Sequence, residues 1–595
     1  MSKRSVTTVA LLVAMILLSV SLVGCTPTFD YTDLSVRDYV GSNGIVTAAN
    51  PYAAKAGLDI LQAGGNAFDA AVAVSFAMGV VEPDATGIGG GGLMIAYNVN
   101  TGRSLYYNFR EFAPQNATAD KYQQDYTSQC GKAIAVPTQV AGLLTILEEQ
   151  GTMSRNEVMA PAIRMADEGV VVTPELAAVI YDNFTTLAKS SSETQPVFFP
   201  NGLDPLEEGE LLIQKDLAQV LQNIADNGKS YFYTGEFAQK VVDTIQQAGG
   251  YVTMDDMKYA MDNYPITSEA LTGSYNGYDI LTVGSPSTGG TMLIEMLNML
   301  ETYGKTASIE ELGHNSPEYI NLIATVMQLA YGDKEKYMAD ASFVEVPLEG
   351  LTSKDYAADR FTKYTAGSAY LGTAAGDVPY GNPWEYQDET ATLYADGTSG
   401  DHYSTTSFSI IDKDGNIVTF TQTINSFFGT GYVPEGTGFF LNNEINDFSM
   451  QPDSINAVAP YKQPASYMMP TVVLKDNQPY ATLGSPGGSR IPAAVLQVLL
   501  NIMEFDMDIQ QAISAARVYC FTTDDSNSSD TAKDIYIEGA LADVEGQLQA
   551  MGYNVLYYGV TEYSSYFGGV QGIKVTDNGY HGGADPRRDG KALGY

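Results

Sequence analysis

A threonine at the start of an expected strand is the residue of this chain best placed to act as a nucleophile. From Thr406 to Ile410 polar and apolar residues alternate, as in a strand covered on one face. Residues 412–416 have turn chemistry, and Ile417 to Asn425 is a β-branched return strand. Thr405 is therefore predicted to lie at the mouth of a hairpin, just after a loop rich in Gly, Asp and Ser.

A threonine hydroxyl is a weak nucleophile unless a base lies beside it. If the chain were cut between Ser404 and Thr405, the new α-amine of Thr405 would be that base. A Ser-His-Asp arrangement does not compete strongly, because the sequence contains only three histidines. The alternative is an ordinary threonine-rich exposed strand without catalytic function.

Two further segments carry charged residues that could bind a substrate. Arg110 follows the expected strand Leu105–Phe109, where a lone arginine is most often a surface ion pair. The run Leu441–Phe448 holds three asparagines and two acids at the end of a strand expected over 436–447. If buried, these groups need partners such as an ammonium group, whereas a solvated turn needs none.

Two glycine-rich loops are candidates for backbone recognition. Gly484–Arg490 lies between the strand Tyr480–Leu483 and a helix predicted over Ile491–Met503, where N–H groups could bind an oxyanion; a plain turn is the alternative. Gly87–Gly92 lacks the Lys-Ser/Thr ending of a P-loop and the spacing of a dinucleotide fingerprint. Close backbone packing or a site wall is favoured there, and no cofactor is expected.

The first residues are typical of an export signal. Met1–Arg4 is basic, Val9–Val23 is largely apolar, and Leu22-Val-Gly-Cys25 is similar to a bacterial lipobox. That likeness implies a lipid on Cys25, removal of residues 1–24, and a lipid-anchored protein on the extracytoplasmic side of a bacterial membrane. The alternative is a plain signal peptide with an incidental cysteine. Residues 25–44 are then expected to form a polar tether.

Composition excludes several classes of function. The net charge of −39 and a pI near 4.2 argue against nucleic acid as a partner. An anionic membrane would repel such a chain, so any lipid anchor must hold it there. Cys130 and Cys520 could form a disulfide or remain as two buried thiols, and no Cys/His spacing fits a zinc site, so no metal is expected.

The remaining patterns predict the elements that position these residues. Asn50-Pro51 begins a helix that Gly64-Gly65 ends, and Asn66–Met78 is apolar nearly all round, as in a buried helix. Further helices are expected, in order, over Leu212–Ala225, Phe237–Ala248, Thr291–Leu300 and Tyr319–Tyr331. Residues 365–404 are expected to be a loop-rich connector that tolerates cleavage.

Together these stretches resemble the γ-glutamyltransferase family of N-terminal-nucleophile hydrolases, from about Gly44 to Tyr595. The motifs that carry the resemblance are 64–71, 89–92, 109–111, 287–290, 330–333, 405–409, 442–448 and 484–490. The resemblance implies an α+β fold of four layers, an αββα sandwich, and a precursor that cuts itself before a threonine. The large subunit would then be 45–404 and the small catalytic subunit 405–595.

The resemblance also implies a role for each matched residue. Thr405 is the nucleophile with its amine as base, Thr423 supports that amine, and the glycines 487 and 488 form the oxyanion hole. Arg110 and Ser466 bind the substrate α-carboxylate. The α-ammonium is held by Asn425, Glu444 and Asp447. No cofactor is implied; the expected partners are γ-glutamyl donors, with water, amino acids or peptides as acceptors.

Two departures from the family pattern concern the substrate. Tyr467 stands where the family commonly has a second serine, and the stretch from Phe448 to Pro470 is short for a covering lid loop. Three hypotheses follow: a γ-glutamyl hydrolase or transferase acting on glutathione-like compounds, a poly-γ-glutamate depolymerase or other amide acylase, and an uncleaved lipoprotein that binds a γ-glutamyl ligand. An intact nucleophile and intact oxyanion glycines argue against the third.

Overall fold

The computed structural model describes residues 31–123, 125–188, 194–370, 380–388, 404–521, 534–558 and 564–595 of the uncut chain. The predicted signal segment, Cys25 and most of the connector before Thr405 lie outside these ranges. Among the described residues, none of the helices combines the length and the apolarity that crossing a bilayer requires.

The helices and strands alternate in blocks along the chain. The helices are α1 Pro51–Gln62, α2 Ala67–Val81, α3 Gln139–Gln150, α4 Arg155–Glu168, α5 Pro174–Asp182, α6 Phe184–Leu187, α7 Gln195–Phe198, α8 Lys215–Asn227, α9 Lys229–Tyr233, α10 Gly235–Gln247, α11 Met254–Asn263, α12 Gly289–Gly304, α13 Pro317–Tyr337, α14 Leu348–Leu351, α15 Lys354–Phe361, α16 Ile491–Met503, α17 Ile509–Ser514 and α18 Glu545–Met551. The strands are β1 Tyr39–Gly41, β2 Ile45–Ala48, β3 Gly91–Asn98, β4 Arg103–Phe109, β5 Val170–Val171, β6 Leu211–Leu212, β7 Ile266–Glu269, β8 Leu271–Tyr275, β9 Tyr278–Thr282, β10 Thr406–Ile411, β11 Ile417–Thr423, β12 Thr471–Lys475, β13 Gln478–Gly484, β14 Val518–Cys520, β15 Asp534–Ile537, β16 Asn554–Tyr557, β17 Gln571–Thr576, β18 Gly579–Ala584 and β19 Lys591–Gly594.

Two seven-stranded sheets form the centre of the molecule. One has the strand order β1-β18-β17-β13-β12-β9-β8 and the other β19-β2-β10-β11-β3-β4-β7. The second sheet packs one face against a core that contains α1, α2 and α3, while α12, α13 and α16 share a core with the first sheet. The α+β sandwich with helices outside two stacked sheets is confirmed.

The β10–β11 hairpin lies at the centre of the second sheet and is buried on both faces. Phe408 and Phe420 belong to the apolar core that contains α2, whereas the Ser409 hydroxyl donates to the Gln571 carbonyl of the other sheet at 3.2 Å. The alternating pattern therefore separates a helix-facing side from a sheet-facing side. The expectation of a strand covered on only one face is wrong, because the first sheet covers the polar side too.

Helix ends follow the capping residues that the sequence offers. Asn50 accepts from the Tyr52 N–H with Pro51 in the first turn, and Asn66 forms a capping box with Asp69. Helix α2 is buried along nearly its whole length, as its uniformly apolar composition predicted. The predicted helix Ile491–Met503 has the observed bounds of α16.

Two further expectations, one on a strand and one on the tether, differ from the structure, and the question of a disulfide is decided. Residues 436–443 form no strand and 444–447 form a 3₁₀ turn, because their polar groups bond to loops instead of a ladder. Tyr39–Gly41, placed in the polar tether, pairs with β18 at the edge of the first sheet. Cys130 and Cys520 are both free thiols, so they form no disulfide with each other.

Candidate active site

A cleft of about 390 Å³ opens beside the Ser404–Thr405 bond at one edge of the second sheet. The predicted site residues that line it are Arg110, Ser404, Thr405, Thr423, Asn425, Glu444, Asp447, Ser466, Tyr467 and Gly488. Gly487 is not among the lining residues but immediately precedes Gly488. The structure thus gathers into one place residues that are more than 370 positions apart in the sequence.

Sheet register explains why Arg110 and Thr423 lie together. Thr423 ends β11 opposite Gly91, and Phe109 ends β4 opposite Gly92, so both segments leave the sheet at the same end of β3, where that strand begins. Gly91 must be glycine here, because a Cβ would lie 2.7 Å from a Glu111 carboxylate oxygen and 2.4 Å from the Phe109 carbonyl. The expected close packing of this glycine cluster is confirmed.

The nucleophile candidate lies beside its own peptide bond. Thr405 Oγ1 is 2.5 Å from the Ser404 carbonyl oxygen and 3.3 Å from Thr423 Oγ1. Thr423 Oγ1 donates to the same carbonyl at 2.9 Å and accepts from the Asn425 N–H at 2.7 Å. All three side chains at Ser404, Thr405 and Thr423 are buried. One hydroxyl can therefore attack while the other polarises the scissile carbonyl.

Asn425 links the nucleophile to the charged end of the cleft. Its backbone has a φ of 81°, an unusual conformation that asparagine tolerates better than most residues. Its amide nitrogen donates to Asp447 at 2.9 Å and to Glu444 at 3.3 Å. The unusual backbone thus directs the side chain at the two acids.

Arg110 is a buried ion-pair partner and not a surface arginine. Its guanidinium is 2.8 Å from Glu444 and 2.5 Å from Asp447, and its side chain is 1% exposed. The carbonyls of Pro464 and Ala465 accept from it at 3.2 and 3.3 Å. The surface-pair and solvated-turn alternatives for these residues are both wrong.

Burial dominates the electrostatics of this cluster. Burial alone would lower the pKa of Arg110, but the carboxylates of Glu444, Asp447 and Glu111 raise it above its usual value. Burial raises the pKa of Glu444, and Arg110 offsets that rise only in part. Burial also raises the pKa of Glu111 to about 8, again partly offset by Arg110. A single guanidinium thus compensates several buried acids.

Two acceptors on residues that line the cleft have no hydrogen-bond donor among the described residues. They are Glu444 Oε1 and Asn425 Oδ1, both buried. A buried acceptor left unpaired is costly, so an N–H-bearing ligand that reached both would be stabilised. Together with the guanidinium of Arg110, they offer groups of the kind that could bind a zwitterionic α-amino acid head.

The rest of the wall includes two segments of the small predicted subunit. Gly487 and Gly488 have φ values of 132° and 57°, which favour glycine, and they turn the chain into α16. The backbone of Ser466 is fixed by the loop before α12, since its carbonyl accepts from the Thr288 N–H at 2.7 Å. Tyr467 follows it as part of the wall.

A second cavity lies on the other side of the same peptide bond. Its lining includes Ser404 and Thr405 together with Glu82, Asp84, Glu175, Arg588 and Asp589. Burial raises the pKa of Glu82 to about 8 and of Asp84 to about 7, with further contributions from Asp84 and Glu175 respectively. Burial likewise raises the pKa of Asp589 to about 6.

Sequence reasoning gave no role to several of these residues. Glu111 belongs to the motif 109–111, beside Arg110. Lys334 and Glu335, which contact Tyr467, directly follow the motif 330–333. Glu82 and Asp84 flank Pro83 just before the glycine cluster, and only the folded chain places them near Thr405. Among the described residues, no group of His, Cys, Asp and Glu side chains is arranged to hold a metal ion.

Comparison with known proteins agrees with this geometry. A γ-glutamyltranspeptidase family model matches residues 53–595. A glutathione hydrolase proenzyme of Bacillus subtilis (strain 168) is 37% identical over 568 residues, which cover 93% of this chain and 92% of that protein. An acylase ACY 1 proenzyme of Pseudomonas sp. (strain V22) is 35% identical over 493 residues, covering 80% of this chain and 83% of that protein.

A solved structure is similar over nearly the same length. The crystal structure of a cephalosporin acylase from Bacillus halodurans superimposes with a TM-score of 0.80 at 27% identity, covering 94% of this chain and 97% of that one. The family match spans all of the residues that build the cleft. This chain belongs to the γ-glutamyltranspeptidase family.

Proposed function

We propose that this protein is a γ-glutamyl hydrolase or transferase that acts on glutathione and related γ-glutamyl compounds after cutting itself before Thr405. The observation that carries the proposal is the cleft, where Thr405 lies beside a buried guanidinium and two unpaired buried acceptors. A γ-glutamyl donor presents the matching groups: a carboxylate, an ammonium, and an amide carbonyl some distance from both.

The geometry supports self-cleavage by Thr405. Attack of Oγ1 on the Ser404 carbonyl carbon forms an ester and breaks the C–N bond, whose nitrogen becomes the Thr405 amine. Water then hydrolyses the ester, which leaves a carboxylate on Ser404 and a free hydroxyl on Thr405. The Thr423 hydroxyl, 2.9 Å from the Ser404 carbonyl oxygen, stabilises the negative charge that develops there.

Turnover would use the same hydroxyl with the new amine as base. The donor carboxylate binds Arg110 and Ser466, while the donor ammonium binds Asn425, Glu444 and Asp447. The amine takes the proton of Thr405 Oγ1 as it attacks the γ-carbonyl carbon, and the N–H groups of the glycines 487 and 488 receive the oxyanion. The leaving amine departs with a proton, and water or an acceptor amine then takes the γ-glutamyl group from the ester.

A second candidate is an amide acylase of the same fold. The acylase relative and the acylase structure reported above favour it, since both are similar over at least 80% of this chain. An acylase would not require an ammonium on the acyl group. The buried acceptors of Glu444 and Asn425 favour the γ-glutamyl donor over an acyl group without that charge.

We also propose that the protein is exported and lipid-anchored through Cys25 to the extracytoplasmic side of a bacterial membrane. The sequence of residues 1–25 supports this, with its basic start, apolar centre and Leu-Val-Gly-Cys ending. Metabolic labelling with a radioactive fatty acid tests it. Label on the wild type and none on Cys25→Ala is expected; label on neither would contradict the anchor.

The test of function compares wild type with Thr405→Ala and Thr405→Ser. Denaturing electrophoresis should show two fragments for wild type, with the smaller beginning at Thr405, and one inactive chain for Thr405→Ala. Thr405→Ser keeps the hydroxyl and should keep both steps. Release of aniline from γ-glutamyl-anilide is then compared with release from glutaryl-anilide, which lacks the ammonium. An active uncut chain would contradict the proposal, and equal use of both anilides would favour the acylase.

The acceptor is tested with glycylglycine. Residues 448–470, which precede β12, form turns and coil with a few isolated bridges. Because a short covering segment leaves water access to the ester, hydrolysis is expected to exceed transfer. Glutathione and a γ-glutamyl oligomer, each with and without the dipeptide, measure the ratio. Strong stimulation by the dipeptide with no cleavage of the oligomer would contradict this expectation.

A further inference from the structure

One face of α13 supports the part of the cleft wall that contains Tyr467. Tyr331, Lys334 and Glu335 lie three and four positions apart on this helix, so they share a face. The Tyr331 hydroxyl donates to the Ser489 carbonyl, in the loop that follows the glycines 487 and 488. Lys334 Nζ lies 4.7 Å from the centre of the Tyr467 ring.

Lys334 is an unusual residue to find at such a wall. Its side chain is only 2% exposed, and its ammonium is 2.8 Å from Glu335 Oε1. Burying an ammonium is costly unless it is paired. The partners Glu335 and Tyr467 together raise the pKa of Lys334 above its usual value, although burial lowers it, so the charged form is kept.

The backbone of Tyr467 is fixed independently of its ring. The Ser466 N–H donates to the Pro286 carbonyl at 3.3 Å, and a Cβ on Gly289 would lie only 2.4 Å from the Tyr467 carbonyl oxygen. The loop before α12 therefore holds the main chain. The ring is contacted from its other side by Lys334, by Tyr331 at a centroid distance of 6.1 Å, and by Glu335 at 3.5 Å from the hydroxyl.

We propose that Lys334 is a positioning residue that fixes the Tyr467 ring as a wall of the donor cleft and so determines how tightly the γ-glutamyl head is bound. The proposal rests on the proposed function of the same cleft. It assigns part of donor selection to α13, which belongs to the large predicted subunit, although the wall itself belongs to the small one.

A double-mutant cycle on Lys334 and Tyr467 tests the proposal, with γ-glutamyl-anilide as the probe. Lys334→Met removes the charge at similar size and should raise KM by about five- to tenfold with kcat within about twofold. Lys334→Arg keeps a cation over the ring and should restore KM. Tyr467→Leu should match Lys334→Met, and Tyr467→Phe, which keeps the ring, should raise KM less than Tyr467→Leu does.

The double variant Lys334→Met with Tyr467→Leu should be no worse than either single variant, because both act through one contact. Additive effects on KM, or a wild-type KM for Lys334→Met, would overturn the proposal. If Lys334→Met fails to mature, the two Tyr467 variants still decide, since equal KM values for Leu and Phe would also overturn it. A wild type inactive on γ-glutamyl-anilide would instead contradict the proposed function itself.

Discussion

The two cavities on either side of the Ser404–Thr405 bond both contain several acids and one arginine, yet their charges are arranged differently. In the cleft, the guanidinium of Arg110 is 2.5 Å from Asp447 and 2.8 Å from Glu444. In the second cavity, Arg588 reaches Glu175 only at 3.6 Å. The cleft is charge-compensated by contact, whereas the second cavity is compensated only at a distance.

The difference shows what each cavity can bind. In the cleft, a zwitterionic ligand can bind Arg110 with its carboxylate and the acids with its ammonium, so each charge of the Arg110 pairs finds a new partner. In the second cavity burial raises the pKa of Glu82 to about 8, of Asp84 to about 7 and of Asp589 to about 6, so part of these acids hold protons at neutral pH. The cleft is therefore suited to recognise a charged donor head, whereas burial in the second cavity reduces the negative charge near the bond that is cut.

Removing Arg110 should have the largest effect on this contrast. Arg110→Ala is expected to weaken use of γ-glutamyl-anilide by about 2–5 kcal/mol, the range for truncating one partner of a buried charge pair. Self-cleavage should survive, because Arg110 contacts neither Ser404 nor Thr405. Arg110→Lys keeps the charge without the planar fork of the guanidinium, so its kcat/KM should lie between those of wild type and Arg110→Ala. Unchanged kcat/KM in Arg110→Ala would show that the cleft does not bind the donor head.

Glu111 should make donor binding depend on pH. Its pKa is raised to about 8, chiefly by burial, so the carboxyl is neutral below that pH and ionised above it. The ionised form, 3.9 Å from Arg110, competes with the donor carboxylate, so KM should rise several-fold as pH increases through about 8. Glu111→Gln should remove this rise. Deprotonation of the Thr405 amine should act on kcat and can therefore be told apart from this effect on KM. If KM rises equally with pH in Glu111→Gln, Glu111 does not control donor binding.

In the second cavity the acids should act on stability. The folded-state pKa of Glu82, about 8, lies above its ordinary value of 4.5, so the folded state holds a proton that the unfolded state has lost. The free energy of unfolding should therefore fall as pH rises between those values. Glu82→Gln should reduce that fall without abolishing it, since Asp84 and Asp589 also contribute. Urea unfolding of the uncut Thr405→Ala chain at several pH values measures this, and an unchanged slope would contradict it.

Much of the scaffold could be predicted from local pattern. Capping residues and apolar periodicity located α1, α2 and α16, and β-branched alternation located the hairpin that ends at Thr423. The strand expected over 436–447 was wrong, because its β-branched and aromatic residues are outweighed by asparagines that bond to distant loops. Asn442, for instance, bonds to the carbonyls of Gly89 and Ala135.

The site was predicted in its members but not in its energetics. The motifs around Arg110, Thr405 and Glu444 are recognisable one by one, and the family resemblance gave them roles. Their burial and mutual pairing depend on sheet register and on loops from elsewhere in the chain, which no local pattern records. For the same reason no local pattern indicated that Lys334 lies over Tyr467, or that Glu82 lies near the scissile bond.

The last test removes the arginine of the second cavity, and it should have the smallest effect. Arg588→Ala removes a pair at 3.6 Å whose partner Glu175 is 36% exposed, so less than about 1 kcal/mol of stability should be lost at neutral pH. The guanidinium lowers the pKa values of Glu82, Asp84 and Asp589, so its loss should raise them and make the fall of stability with pH slightly steeper. The donor KM should stay within about twofold of wild type, because Arg588 does not line the cleft. Urea unfolding of the uncut chain and KM for γ-glutamyl-anilide are the two measurements. A KM rise as large as that of Arg110→Ala would mean that the second cavity also binds the donor. The assignment of donor binding to the cleft alone would then be wrong.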